Sequence, residues 1–311
     1  MISSVGALAG RDFLDIADLQ PAELRDVLEL AHGIKAGRRT GKPLEGRHIA
    51  LLFQKPSHRT RVSFEVGIGR LGGRVTNLTE QDIQLGVRES VGDAARVLDS
   101  YVDGVVARMR LHADLLELAA ASKKPVINAL TNRSHPCQIL ADLMTIEEVC
   151  GPLAQQTVAY IGDGNNIAVS LVEAAERMGF SLVVVTPPGY APPANLVDGR
   201  LQVGSRGSGI TLSTDVADVA GATAIYTDVW ASMGQESERE VRRKTFAGYQ
   251  VNDAVMARAP GAVFMHCLPA HRGEEVTDEV IDGPRSVVFQ QAANRLYAQM
   301  ALMAQLFGAA Q

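Results

Sequence analysis

Short apolar, β-branched runs alternate with helical patterns along the chain. "HIALLF" (48–53), "VDGVVAR" (102–108) and "KPVINAL" (124–130) read as strands, and "SVGDAARVLDSY" (90–101) and "HADLLELAAAS" (112–122) read as helices. "HPCQILADLMTIEEVC" (135–150) has helical spacing with Pro136 in its first turn, and Gly151-Pro152 ends it. A second series follows. "TVAYIGD" (157–163), "SLVVVTPP" (181–188), "ATAIYTD" (222–228), "AVFMHCLP" (262–269) and "SVVFQ" (286–290) are strand-like, with a helix expected from about Ile167 to Met178. Repeated strand–helix–strand grammar predicts an α/β protein of two domains, each a parallel sheet with helices on both faces, joined by helices. The boundary is set at the glycine–proline break, giving domains at 1–150 and 151–290. The amphipathic "AANRLYAQMALMAQLFG" has no strand after it, so a helix from about 291 to 311 is expected to pack back on the first domain.

Composition limits the function classes. A chain of 311 residues with 46% hydrophobic content is long enough for two cores. Net charge is −5, and no block of like charge or aromatic-studded basic stretch suggests a nucleic-acid groove, so small molecules are the expected partners. Cys137, Cys150 and Cys267 are odd in number and widely spaced, without C-x-x-C, which points to a reducing cytoplasm rather than a disulfide framework. The opening "MISSVGALAGRDFLD" lacks the basic region of a signal peptide, and no run approaches 18 uncharged apolar residues, so no membrane is expected.

In open α/β sheets ligands bind beyond the carboxyl ends of the strands. The segments after six of the strands are unusually polar: "KPSHRTR", "ARMR", "TNRSHPCQ", "GDGNN", "DVWASMG" and "HCLPAHR". Ser57 to Arg61 can be a plain helix cap with solvated arginines. It can equally be an anion cradle of free N–H groups, the Ser57 and Thr60 hydroxyls and the Arg59 fork, with Arg108 as a second guanidinium; phosphate fits that geometry. His135 offers a donor to a carbonyl oxygen and Gln138 an acceptor for an amide N–H, which suits a planar carbonyl-plus-amino group. Neither His135 with Cys137 nor His266 with Cys267 has standard zinc spacing, and no metal is expected. "GDGNN" lacks the third glycine of a dinucleotide fingerprint, and "VTPP" has no acidic residue for a ribose, which leaves a dehydrogenase as a weak alternative.

The set "SHRTR", "HPCQ", "GDGNN", "DVWASMGQE" and "HCLPAHRGEEV", in this order, resembles the ornithine carbamoyltransferase family across essentially the whole chain. The resemblance implies carbamoyl phosphate and L-ornithine as substrates, citrulline and phosphate as products, and a place in arginine metabolism. It implies that Ser57, the His58 backbone, Arg59, Thr60 and Arg108 hold the phosphate. Thr60, Arg108 and His135 would meet the carbonyl oxygen; Gln138, the backbone near Cys267 and Leu268, and Arg295 would read the amino group. Asn166, Asp228, Ser232 and Met233 would hold ornithine, and Asp228 with Cys267 would orient and help deprotonate its amine. The family forms trimers or multiples of trimers, in which Gln84 of "QDIQLG" would reach a neighbouring subunit's site. No metal or organic cofactor is implied. One departure is His58, where the family usually has threonine; a backbone N–H survives that change. A ligand-binding paralogue without turnover is the remaining alternative.

Overall fold

The computed structural model describes residues 7–38, 41–86, 88–193, 209–231 and 236–308. It divides into two compact units: 1–144 with 294–311, and 145–293.

The first unit runs through α1 (Pro21–Lys35), β1 (His48–Phe53), α2 (His58–Arg70), β2 (Arg74–Thr79), α3 (Glu80–Ile83), α4 (Val91–Leu98), β3 (Gly104–Arg108), α5 (His112–Ala121), β4 (Val126–Leu130) and the start of α6 (Pro136–Cys150). Its four strands are all parallel, in the order β2-β1-β3-β4. Alternation along β1 sends Ala50 and Leu52 to one face, where they pack with Val91, Ala94 and Ala95 of α4 and Leu115 and Leu118 of α5. Each buried valine or leucine among them contributes about 1.5–3 kcal/mol of transfer free energy. Gly104 admits no larger residue: a Cβ there would lie 2.3 Å from the Phe307 ring. β2 escapes the apolar-run criterion because it is a sheet edge whose six positions are exposed or half-buried.

The second unit holds β5 (Thr157–Ile161), α7 (Asn166–Met178), β6 (Ser181–Val185), β7 (Ile210–Ser213), β8 (Ala224–Thr227), α8 (Arg239–Thr245), α9 (Asp253–Arg258), β9 (Val263–His266), α10 (Asp278–Ile281) and the start of α11 (Val288–Phe307). Its parallel order is β7-β6-β5-β8-β9. One face of this sheet buries Ala159, Ile161, Ile225 and Phe264 against Val255, Met256, Val280 and Ile281. Both α6 and α11 run across the division between the units.

The two-sheet α/β expectation holds, with one correction. "SVVFQ" is not a strand: Ser286 makes a single bridge to Phe264, and the chain turns helical from Val288. The helical periodicity of twenty residues outweighs two β-branched valines, and Val288 is fully buried.

Register explains where the polar segments emerge. Phe53 pairs with Arg108, and Arg108 with Leu130, so β1, β3 and β4 end side by side around the reversal in strand order. In the second unit Ile161 pairs with Thr227, and Thr227 with His266, so β5, β8 and β9 do the same.

Candidate active site

In the first unit, Ser57 is the N-cap of α2, with extended backbone. Its Oγ accepts the Thr60 N–H at 3.3 Å and donates to Thr60 Oγ1 at 3.0 Å. That fixes Thr60, which is buried, in the first turn of α2, and the N-terminus of a helix is the arrangement that draws anions. Arg108 is buried at the end of β3.

His135 precedes Pro136 at the head of α6, after a tight turn closed by Thr131 N–H to Ser134 O at 2.9 Å. Burial, and then the guanidiniums of Arg295, Arg108 and Arg59, hold its pKa well below the usual imidazole value. The ring is therefore neutral near pH 7 and can donate one N–H without adding charge. Arg295 of α11 is part of this unit: its Nη1 donates to Gln138 Oε1 at 2.5 Å and its Nη2 to Thr60 Oγ1 at 3.4 Å. Gln138 Nε2 donates in turn to Asp142 Oδ1 at 2.8 Å. With its amide oxygen turned to the guanidinium, Gln299 accepts from Arg295 Nε at 3.2 Å and Nη2 at 2.8 Å and donates to Ser63 Oγ. Thr60, Arg108, His135, Gln138 and Arg295 are thus brought together, two of them cationic. Gln84 lies apart, exposed and left-handed (φ 49°) at the end of α3, on a shallow groove that it lines with Phe53 and Thr79. Cys137 is a packing residue, its thiol pushed up to about 12 by burial and directed at Asn128 O at 3.3 Å.

In the second unit, Asp228 lies just beyond β8. Asn165 Nδ2 donates to its Oδ2 at 2.8 Å, and Cys267 Sγ to its Oδ1 at 3.1 Å. Asn165 is the N-cap of α7 and Asn166 its first helical residue. The second glycine of "GDGNN" has a local reason: Gly164 donates to Tyr190 O at 2.8 Å, and a Cβ there would strike Pro192 N at 2.3 Å. Asp163 pairs with the buried Arg242 at 2.9 Å, and Arg242 also donates to Trp230 O at 2.9 Å and lies over the Tyr190 ring. Burial raises the Asp163 carboxyl more than Arg242 lowers it. Trp230 stacks on Phe246 at 5.9 Å, which anchors the start of "DVWASMG". Ser232 and Met233 lie outside the described residues.

The "HCLP" turn is held by His266. The Leu268 N–H donates to His266 Nδ1 at 2.8 Å, so Nδ1 is unprotonated, and Nε2–H donates to Glu275 Oε1 at 3.2 Å. This bond supports Leu268 at φ 59°, a left-handed conformation that costs a leucine about 1–3 kcal/mol. Asp228, His266 and Cys267 bring one possible metal-ligand atom each within 4.8 Å, and so do His271, Glu274 and Glu275. Both nitrogens of His266 are already engaged.

Asn165, Tyr160, Asp142, Arg242 and Gln299 escape sequence reasoning. The only available signal is for Asn165: of two tandem asparagines before an apolar periodic run, the first is the better-placed N-cap.

The comparisons with known proteins accord with this layout. Residues 11–148 match the profile described as aspartate/ornithine carbamoyltransferase, carbamoyl-P binding domain, and residues 154–306 match the Asp/Orn binding domain. The chain belongs to the aspartate/ornithine carbamoyltransferase family. Among its relatives in that family, the ornithine carbamoyltransferase of Symbiobacterium thermophilum is 50% identical over 302 residues, 95% of this chain and 97% of that one. That of Thermococcus kodakarensis is 51% identical over 310 residues, 98% of each. The solved ornithine carbamoyltransferase from Pyrococcus furiosus superposes with a TM-score of 0.92 at 48% identity, covering 98% of this chain and 99% of that one.

Proposed function

We propose that the chain transfers the carbamoyl group of carbamoyl phosphate to the δ-amino group of L-ornithine, giving L-citrulline and phosphate in arginine metabolism. The observation that carries this reading is the Asp228 carboxylate set between the Asn165 amide and the Cys267 thiol, in a chain about half identical over nearly its whole length to proteins named ornithine carbamoyltransferase.

We assign carbamoyl phosphate to residues 1–150 with the C-terminal helix, and ornithine to 151–290. Ser57, the His58 N–H, Arg59, Thr60 and Arg108 take the phosphate. Thr60, Arg108 and His135 face the carbonyl oxygen; Gln138, Arg295 and the Cys267 and Leu268 carbonyls read the amino group. Asn166, Asp228, Ser232 and Met233 hold ornithine. A free alkylammonium titrates near 10, so the attacking amine must first lose a proton. Asp228 and Cys267 orient it and help to remove that proton. Attack on the carbamoyl carbon places negative charge on its oxygen, where each preorganised donor is worth roughly 3–4 kcal/mol. A neutral His135 donates there while the surrounding guanidiniums carry the charge. Collapse expels phosphate, which already rests on cations and N–H groups. Binding both substrates converts a bimolecular encounter into a local one, with effective molarities that reach about 10⁵ M or more.

Equimolar formation of citrulline and phosphate from the two substrates tests the assignment. We further assign the enzyme to the cytoplasm, as a homotrimer or multiple of trimers in which Gln84 completes a neighbouring subunit's site. No helix among the described residues is long and apolar enough to cross a membrane.

A further inference from the structure

Behind Asp228 runs a hydrogen-bond chain that the proposed reaction does not itself use. Asn165 Oδ1 accepts from the Ile167 N–H at 2.9 Å, the Ala168 N–H at 3.3 Å and the Tyr160 hydroxyl at 3.2 Å. Three donors converging on one oxygen leave the amide a single orientation, because a flipped amide would set its NH₂ against all three. Nδ2 is thereby aimed at Asp228 Oδ2, which it meets at 2.8 Å. The Tyr160 proton is shared between Asn165 Oδ1 and Asp163 O, the latter at 2.8 Å. Tyr160 is fully buried on β5, so its hydroxyl position is set by the sheet. Burial, and then the charges of Asp228 and Asp163, push its pKa well above the usual phenol value, which keeps it a donor.

The consequence falls on the carboxylate. With Oδ2 held by Asn165 and Oδ1 by Cys267, the plane of Asp228 is fixed from both sides. We propose that Asn165, locked by Tyr160, is a positioning residue that sets the Asp228 carboxylate toward the amino groups of ornithine. This rests on the functional reading above. A plain helix cap would not need the Nδ2 donor: aspartate caps as well as asparagine.

That difference supplies the test. Asn165→Asp keeps the capping oxygen and the size but sets a second carboxylate against Asp228. At pH 8 its kcat/KM for ornithine should fall by about 30-fold or more, the loss expected when a hydrogen bond to a charged group is replaced by repulsion. Carbamoyl phosphate affinity should stay within about twofold. The loss should shrink at lower pH, because one proton shared by the two carboxylates restores the hydrogen bond. Tyr160→Phe, which unlocks the amide without adding charge, should lower the same parameter by about 3- to 10-fold; it also covers the case in which Asn165→Asp does not fold. Asn165→Asp with kcat/KM within about twofold of wild type, or a loss that ignores pH and simply follows a fall in Tm, would overturn the inference. If the wild-type chain makes no citrulline, the functional reading itself fails; if it does and the variants match it, only this inference fails.

Discussion

Arg295 Nη1 donates to Gln138 Oε1 at 2.5 Å, joining residues 157 positions apart within one unit. The C-terminal helix therefore contributes a guanidinium to a cluster otherwise built from the end of β3 and the segments that follow β1 and β4. Its neighbour Gly67 lacks a side chain where α11 passes: a Cβ there would come within 3.1 Å of Met300 Cγ.

Removing that guanidinium takes a partner from Gln138 and from Thr60, both assigned above to carbamoyl phosphate. Arg295→Gln should raise the KM for carbamoyl phosphate by about 10- to 100-fold, the range for a buried hydrogen bond to a charged group. Steady-state kinetics with ornithine saturating will check it, and an unchanged KM would make Arg295 a packing residue.

His135 should make the fold acid-sensitive. Its folded pKa is depressed, while an unfolded histidine takes a proton near 6.5. As pH falls below about 6.5, the unfolded chain binds a proton that the folded chain refuses, so stability is lost toward acid at up to about 1.4 kcal/mol per pH unit. Above that pH the contribution is flat. Denaturant midpoints between pH 7 and 5 should fall less steeply for His135→Gln; equal slopes would place the sensitivity elsewhere.

Arg242 offsets the buried carboxylate of Asp163 and holds the Trp230 carbonyl. Arg242→Met leaves that charge unpaired, which should lower stability by roughly 3–5 kcal/mol. Binding of norvaline, an unreactive ornithine analogue, should weaken as well, because the segment leading to Ser232 loses its anchor. Thermal denaturation and calorimetry test both parts.

Cys267 should matter for turnover rather than for carbamoyl phosphate. Its thiol faces Asp228, whereas the contacts assigned to carbamoyl phosphate use its backbone. Cys267→Ala should lower kcat by about 10-fold or more with carbamoyl phosphate affinity within about twofold. Normal turnover would leave it a packing residue.

Strands buried on both faces, such as "HIALLF" and "TVAYIGD", were legible because burial demands apolar runs. β2 was not: an edge strand mixes polar and apolar residues like a loop. "SVVFQ" misleads because its local β preference gives way to a long helix that buries Val288. The chemistry-bearing segments were legible because they follow strands at the carboxyl edge. The groups behind them were not. Nothing local marks Tyr160 or Gln299 as partners of Asn165 or Arg295, since only the fold brings them together. The tandem asparagines show the limit: the sequence offers Asn166 as an ornithine ligand, and nothing local marks Asn165 as the residue whose amide meets Asp228.

The central claim is the identity of the accepting amine. The protein is incubated with carbamoyl phosphate and, in turn, ornithine, putrescine, N-acetylornithine, lysine and aspartate, with phosphate and the carbamoylated product both measured. A site built for a free α-amino acid discriminates strongly against a missing carboxylate or ammonium, because its buried polar groups are left unpaired. Citrulline from ornithine should form at least about tenfold faster, per unit concentration, than any other product. Faster carbamoylation of putrescine, N-acetylornithine, lysine or aspartate, or no product from any amine, would contradict it.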